Sequence, residues 1–192
     1  MSPIALLRWT TDLLQLRGTP ADAPPSPWLL VQLIALDLIS SVLYLQAIGR
    51  EVLIGALLGR VMLRVAMIWA VLSLFRRTPR FVQSGIALYA TGVLLTFILL
   101  PISAALVRSP SDSVDFGVQF LQLGFLSLLL WSIVVDAHIW RHSLSLKFWF
   151  ALPLSLGLFM LSNELATLSA SKCGRLQLHL VADRFVDGGL II

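Results

Sequence analysis

The sequence predicts an all-α fold: a polytopic transmembrane helix bundle of about five spans, preceded by an N-terminal interfacial helix. Three observations predict it. Hydrophobic residues make up 58% of the 192-residue chain and charged residues only 12%, whereas a soluble domain carries about 45–50% apolar and about 25% charged residues. Mean hydropathy is +0.90. The apolar residues also fall into runs of the length that crosses a hydrocarbon core, about 20 residues. The charge deficit is the sharper signal, because a water-facing surface needs charge to cover it. The net charge of +4 belongs to connecting loops, and no basic patch interleaved with aromatics marks a nucleic-acid footprint. The single cysteine, Cys173, excludes an internal disulfide and a cysteine metal cluster, so no cofactor or metal is expected.

Residues 2–17, SPIALLRWTTDLLQLR, are too charged to span. Ile4, Leu6, Leu7, Trp9, Leu13, Leu14 and Leu16 make much of one side apolar, while Arg8, Asp12 and Arg17 stay polar. That pattern predicts a helix lying in the membrane interface. Asp12 and Arg17 interrupt the apolar core that a cleavable signal would need. Residues 18–27, GTPADAPPSP, hold four prolines and cannot be helical throughout. Residues 1–27 therefore form an amphipathic helix and connector ahead of a five-span membrane domain, 28–168.

The first span is predicted at about 28–48, with Trp28 as an interfacial anchor and Asp37 near its middle. The second, 51–75, carries Arg60 and Arg64 well inside its ends. An ionised side chain at a span centre costs about 2.5–3.5 kcal/mol, so the face these arginines share must meet protein, water or counter-charge. The run Arg76, Arg77, Thr78, Pro79, Arg80 closes that span. The third span, about 81–106, tolerates Pro101 near one end, and 108–115 is a polar loop. The fourth, about 116–140, ends among Asp136, His138, Arg141 and His142. The fifth, about 146–165, carries Pro153 and then Asn163 and Glu164. Residues 169–192 are too polar to span and read as a flexible tail; no internal repeat supports an inverted-repeat transporter.

Lys and Arg counts set the orientation. Arg8, Arg17, Arg76, Arg77, Arg80, Arg141 and Lys147 share one side, which places the N-terminus in the cytoplasm and, with five spans, the C-terminus outside. The inner membrane is the expected location and the lipid bilayer the first partner, joined by a second copy or another membrane protein; no nucleic acid is expected.

Depth suggests which charges meet. At 1.5 Å per residue, Asp37 and Arg64 lie about 14 and 16 Å from the same side, on consecutive antiparallel spans. Arg60 and Glu164 match less securely, at about 22 and 24 Å. These charges read as structural ion pairs, as a polar path for protons, ions or a substrate headgroup, or as Arg60 snorkelling outward with Arg64 facing water in an oligomer. His138 and His142 share a helical face, as metal-binding pairs do; with no third ligand fixed by spacing, they read with Asp136 and Arg141 as an interfacial polar cluster. Gly55 and Gly59, four apart, form a small-residue motif that lets helices approach closely. No nucleophile–base constellation or phosphate loop is present, so no catalytic residue is assigned.

Three fragments carry a resemblance: 22–27 (DAPPSP), 80–84 (RFVQS) and 138–144 (HIWRHSL). Together they resemble a family of small, uncharacterised bacterial inner-membrane proteins with a Yip-type five-span layout. The resemblance covers about 1–165 and departs at Ala137, where such proteins often show glycine. It implies a fold and a location. The trafficking role with small GTPases that it implies for eukaryotic Yip-type proteins is not carried over to a bacterial chain. The leading expectation is a non-enzymatic scaffold or assembly factor for a membrane partner. The alternative is a small oligomeric transporter or permeability factor using Asp37, Arg60, Arg64 and Glu164.

Overall fold

Ser26 and Pro27 fix where the first long helix begins. The Ser26 hydroxyl accepts from the Leu29 N–H at 3.4 Å, and Pro27 at the first helical position has no N–H to leave unsatisfied. The computed structural model describes residues 3–108 and 116–162. Among them every regular element is helical: α1 (Pro3–Leu14), α2 (Pro27–Ala47), α3 (Ile54–Leu74), α4 (Phe81–Arg108) and α5 (Phe116–Leu144), with short 3-10 turns at Pro20–Asp22 and Thr78–Arg80, and α6 (Phe148–Ser162). By length and composition α2, α3, α4 and α5 are each long and apolar enough to cross a membrane, and the chain is a helical membrane protein. The described part of α6 is shorter. The expected far end of the fifth span, with Asn163 and Glu164, lies outside the described residues, as does the tail 169–192.

Although α3 carries the arginines, α4 is the centre of the bundle. Ser84 through Thr91 are buried without a break, because α2 and α5 close on α4 from both sides. The residues that permit this are small. A Cβ on Gly85 would sit 3.0 Å from Leu30 Cδ1 of α2, and Ser84 Oγ bonds Ser143 Oγ of α5 at 2.8 Å. Small residues set close helix approach in membranes, where burial in lipid supplies no driving force of its own.

The α2 and α3 helices have 21 residues each, while α4 and α5 have 28 and 29. One end of the bundle gathers the start of α2, the turn Thr78–Arg80 and the end of α5; it is termed the arginine-rich end below. Pro101 sits inside α4, and two residues later Ser103 Oγ bonds the Tyr44 hydroxyl of α2 at 3.1 Å.

Four helices stop in the same way. The residue after the helix takes a left-handed conformation, and the next N–H reaches back five residues, which satisfies an end carbonyl. These bonds are Arg17 N–H to Asp12 O (2.9 Å), Arg50 N–H to Leu45 O (2.9 Å), Arg77 N–H to Leu72 O (2.7 Å) and Leu146 N–H to Arg141 O (3.0 Å). Only α2 uses glycine, at Gly49 (φ 68°). The other three use Leu16 (61°), Arg76 (54°) and Ser145 (57°), where an L-residue costs about 1–2 kcal/mol.

The helix α1 docks on the bundle through one face and leaves another open. Trp9, Thr10 and Leu13 are buried, Leu13 completely, while Ile4 and Leu7 are exposed. The connector after it is strapped down along its length: Trp9 Nε1–H donates to Thr19 O at 3.3 Å and Gln83 Nε2 to Ala23 O at 3.2 Å. Arg80 Nη1 donates to His142 O at 2.9 Å and lies 3.3 Å from Ser143 O. A positive side chain thereby satisfies carbonyls at the C-terminus of α5, where cations are favoured.

A candidate polar site within the helix bundle

The inward seam of α2 is Leu30, Leu33, Asp37, Ser40 and Ser41, a three-and-four spacing that aims Asp37 at the interior. In α3 the buried residues Leu57, Val61, Ile68 and Leu72 leave a gap at the same spacing, and Arg64 fills it. The two side chains meet. Arg64 Nη1 lies 3.7 Å from Asp37 Oδ1, with side-chain exposures of 26% and 6%. That is ion-pair distance without a direct hydrogen bond.

The rest of the guanidinium is held by α4. Arg64 Nη2 donates to Leu88 O at 2.9 Å, and Cζ lies 4.8 Å from the centroid of the Tyr89 ring, within cation–π range. Tyr89 is itself buried, its hydroxyl 3.5 Å from Val61 O. A Cβ on Gly92 would stand 3.2 Å from both terminal nitrogens of Arg64, so the missing side chain makes room for the fork. Leu88, Tyr89 and Gly92 were not singled out in the sequence. Their signal is slight: an aromatic hydroxyl and a glycine inside an apolar run, seven residues after Gly85 on the same face.

Other predicted residues are placed differently. Arg60 is exposed, with no carboxylate within 4.0 Å among the described residues; it acts on Asp37, Arg64, Tyr44 and Tyr89 at longer range. Its predicted partner Glu164 lies outside the described residues. The expected cluster of Asp136, His138, Arg141 and His142 is divided between faces, which corrects the single-cluster reading. At 100° per residue Asp136 and His138 are 200° apart. Half-buried Asp136 interacts electrostatically with Arg64, whereas His138 turns to the N-terminal connector, its Nε2 3.0 Å from Gly18 O. A carbonyl only accepts, so that nitrogen carries the proton. The His138 and His142 rings meet edge to face, centroids 4.6 Å apart, and Arg141 is exposed. Among the described residues no group of three His, Cys, Asp or Glu is placed to hold a metal.

The glycine expectation is also corrected. A Cβ on Gly55 or Gly59 would meet nothing within 4 Å, because both lie opposite the buried stripe of α3. The glycines that pack are Gly85 and Gly92 of α4. Trp140 is buried, while Trp28, the expected interfacial anchor, and Trp69, Trp131 and Trp149 are exposed. No family model, curated protein or solved structure matches the chain.

Proposed function

We propose that this is a multi-pass protein of the bacterial inner membrane, related in layout to Yip-type proteins, that works as a non-enzymatic scaffold or assembly factor for a membrane partner. One observation carries the reading: the fork of Arg64 is engaged by Asp37, Leu88 O and the Tyr89 ring, all groups of the chain itself. A cation satisfied in this way holds helices in register, and leaves the outer faces of α3 and α5 for company. The N-terminus is cytoplasmic in this reading, from the Lys and Arg asymmetry. A reporter fused after Thr78 then reads cytoplasmic; a periplasmic signal there reverses the orientation.

A second reading, an oligomeric transporter, has one observation in its favour. The Asp37 carboxylate is 6% exposed and its contact with Arg64 is 3.7 Å, loose for a pair that is purely structural. Proteoliposomes holding the full chain and an internal pH dye separate the two. The scaffold reading expects proton leak equal to empty vesicles for wild type and Asp37→Asn alike. A leak that the substitution abolishes overturns it.

A further inference from the structure

We propose that the corner at residues 74–77 is a docking point for the headgroup of an anionic phospholipid in the leaflet at the arginine-rich end. The argument begins from a conformational anomaly. Arg76 occupies the left-handed position after α3 with φ 54°, the position where glycine is at ease and where helices commonly place it. Leu16, in the equivalent position after α1, is explained by packing, since its side chain lies against the core. Arg76 has no such reason. Its side chain is exposed and, among the described residues, makes no ion pair. Ser145 after α5 is likewise left-handed and exposed; what distinguishes Arg76 is that its strained position presents an exposed cation beside a second one.

The surroundings state the chemistry. Arg77 is exposed beside Arg76, giving two guanidinium forks suited to phosphate oxygens. Immediately before them Leu74 is 79% and Phe75 40% exposed, an apolar step below a cationic one. A phospholipid has the same order, acyl chain below phosphate. Four further cations at this end, Arg8, Arg17, Arg141 and Lys147, are exposed, whereas Arg80 is committed to the α5 carbonyls. Against these cations stand the carboxylates of Asp12 and Asp22, the latter accepting from the Thr19 hydroxyl at 2.8 Å. The field at this end is therefore positive, and basic residues at a membrane surface attract anionic lipid. The inference needs only that the chain sits in a membrane, and stands apart from the scaffold reading.

The test uses the purified full-length chain in neutral detergent, with native mass spectrometry counting bound phosphatidylglycerol and a melting curve taken alongside. Each arginine removed should weaken phosphatidylglycerol binding about five-fold, so Arg77→Gln loses about five-fold and Arg76→Gly with Arg77→Gln about twenty-five-fold. The two readouts move oppositely for Arg76→Gly: it melts higher than wild type without anionic lipid, because the strain is gone, yet gains less when phosphatidylglycerol is added. Arg50→Gln, at the other end, should leave binding unchanged. Undiminished lipid retention by the double variant overturns the proposal. So does an equal loss for Arg50→Gln, or the same melting shift from inorganic phosphate alone. Should Arg76→Gly fail to accumulate, Arg77→Gln carries the test by itself.

Discussion

Removing either member of the Asp37–Arg64 pair should destabilise the bundle, and the two losses should be unequal and non-additive. At 3.7 Å and an effective dielectric of about 20, the Coulomb attraction is about 4–5 kcal/mol. Arg64→Met leaves Asp37 buried and unpaired, and also removes the bond to Leu88 O and the contact with Tyr89. A loss in the upper part of the usual range, about 3–5 kcal/mol, follows. Asp37→Leu leaves an arginine that still has Leu88 O, Tyr89 and 26% exposure, so the loss should be about 2–3 kcal/mol. With both replaced, no charge is stranded, and the double variant should recover at least about 2 kcal/mol of the summed loss. Reversible unfolding of purified protein in mixed micelles, titrated with dodecyl sulfate, gives the four free energies. Losses that add to within about 0.5 kcal/mol would refute the coupling, and a larger loss for Asp37→Leu than for Arg64→Met would refute the account of what α4 contributes.

The remaining predictions concern packing. Gly85→Leu should destabilise by about 1–3 kcal/mol by overpacking against Leu30, while Gly55→Ala and Gly59→Ala, in open space, should be neutral or stabilise by up to about 1 kcal/mol; the same micelle unfolding reads both. Leu13→Ala should cost about 2–5 kcal/mol and Leu7→Ala, on the open face of α1, under about 0.5 kcal/mol. Equal effects would mean that α1 does not dock as described. Arg80→Gln should cost about 1.5–3 kcal/mol through the uncovered carbonyls of α5, with hydrogen exchange rising first at residues 140–144; unchanged exchange there would place the cap elsewhere.

The long helices and their seams were legible because periodicity records which residues turn inward. Asp37 falls on the Leu30–Leu33 spacing and Arg64 on the Leu57–Val61 spacing, so their meeting could be anticipated from depth and chain order. Periodicity does not record which neighbour a face meets. That is why Gly55 and Gly59 drew attention as a spaced pair although their face is open, while Gly85 and Gly92, seven apart, went unremarked. It is also why Asp136 was grouped with the histidines: adjacency in sequence suggested one cluster, and the helical turn separates them. The role of α4 as hub rests on small residues, Ser84, Gly85, Ala87 and Ala90, which carry little hydrophobic signal and matter through the closeness they allow. The backbone carbonyl of Leu88, which binds Arg64 most closely, has no sequence signature at all.

Pro101 gives α4 a mechanical character that its length alone does not convey. It lies twenty residues beyond Phe81, about 30 Å along the axis, which matches the thickness of a hydrocarbon core measured from the arginine-rich end. The ring removes one rung of the helical ladder and frees the carbonyl of Phe97, about one turn short of that level. Up to that level α4 is clamped between α2 and α5; beyond it the helix continues to Arg108 past a missing rung, the one place in its length where the ladder is weakened. The Tyr44–Ser103 bond is the latch across the joint. Strain introduced at the joint would act on that hydrogen bond, and Leu88 and Tyr89, which hold Arg64, lie in the clamped part of the helix.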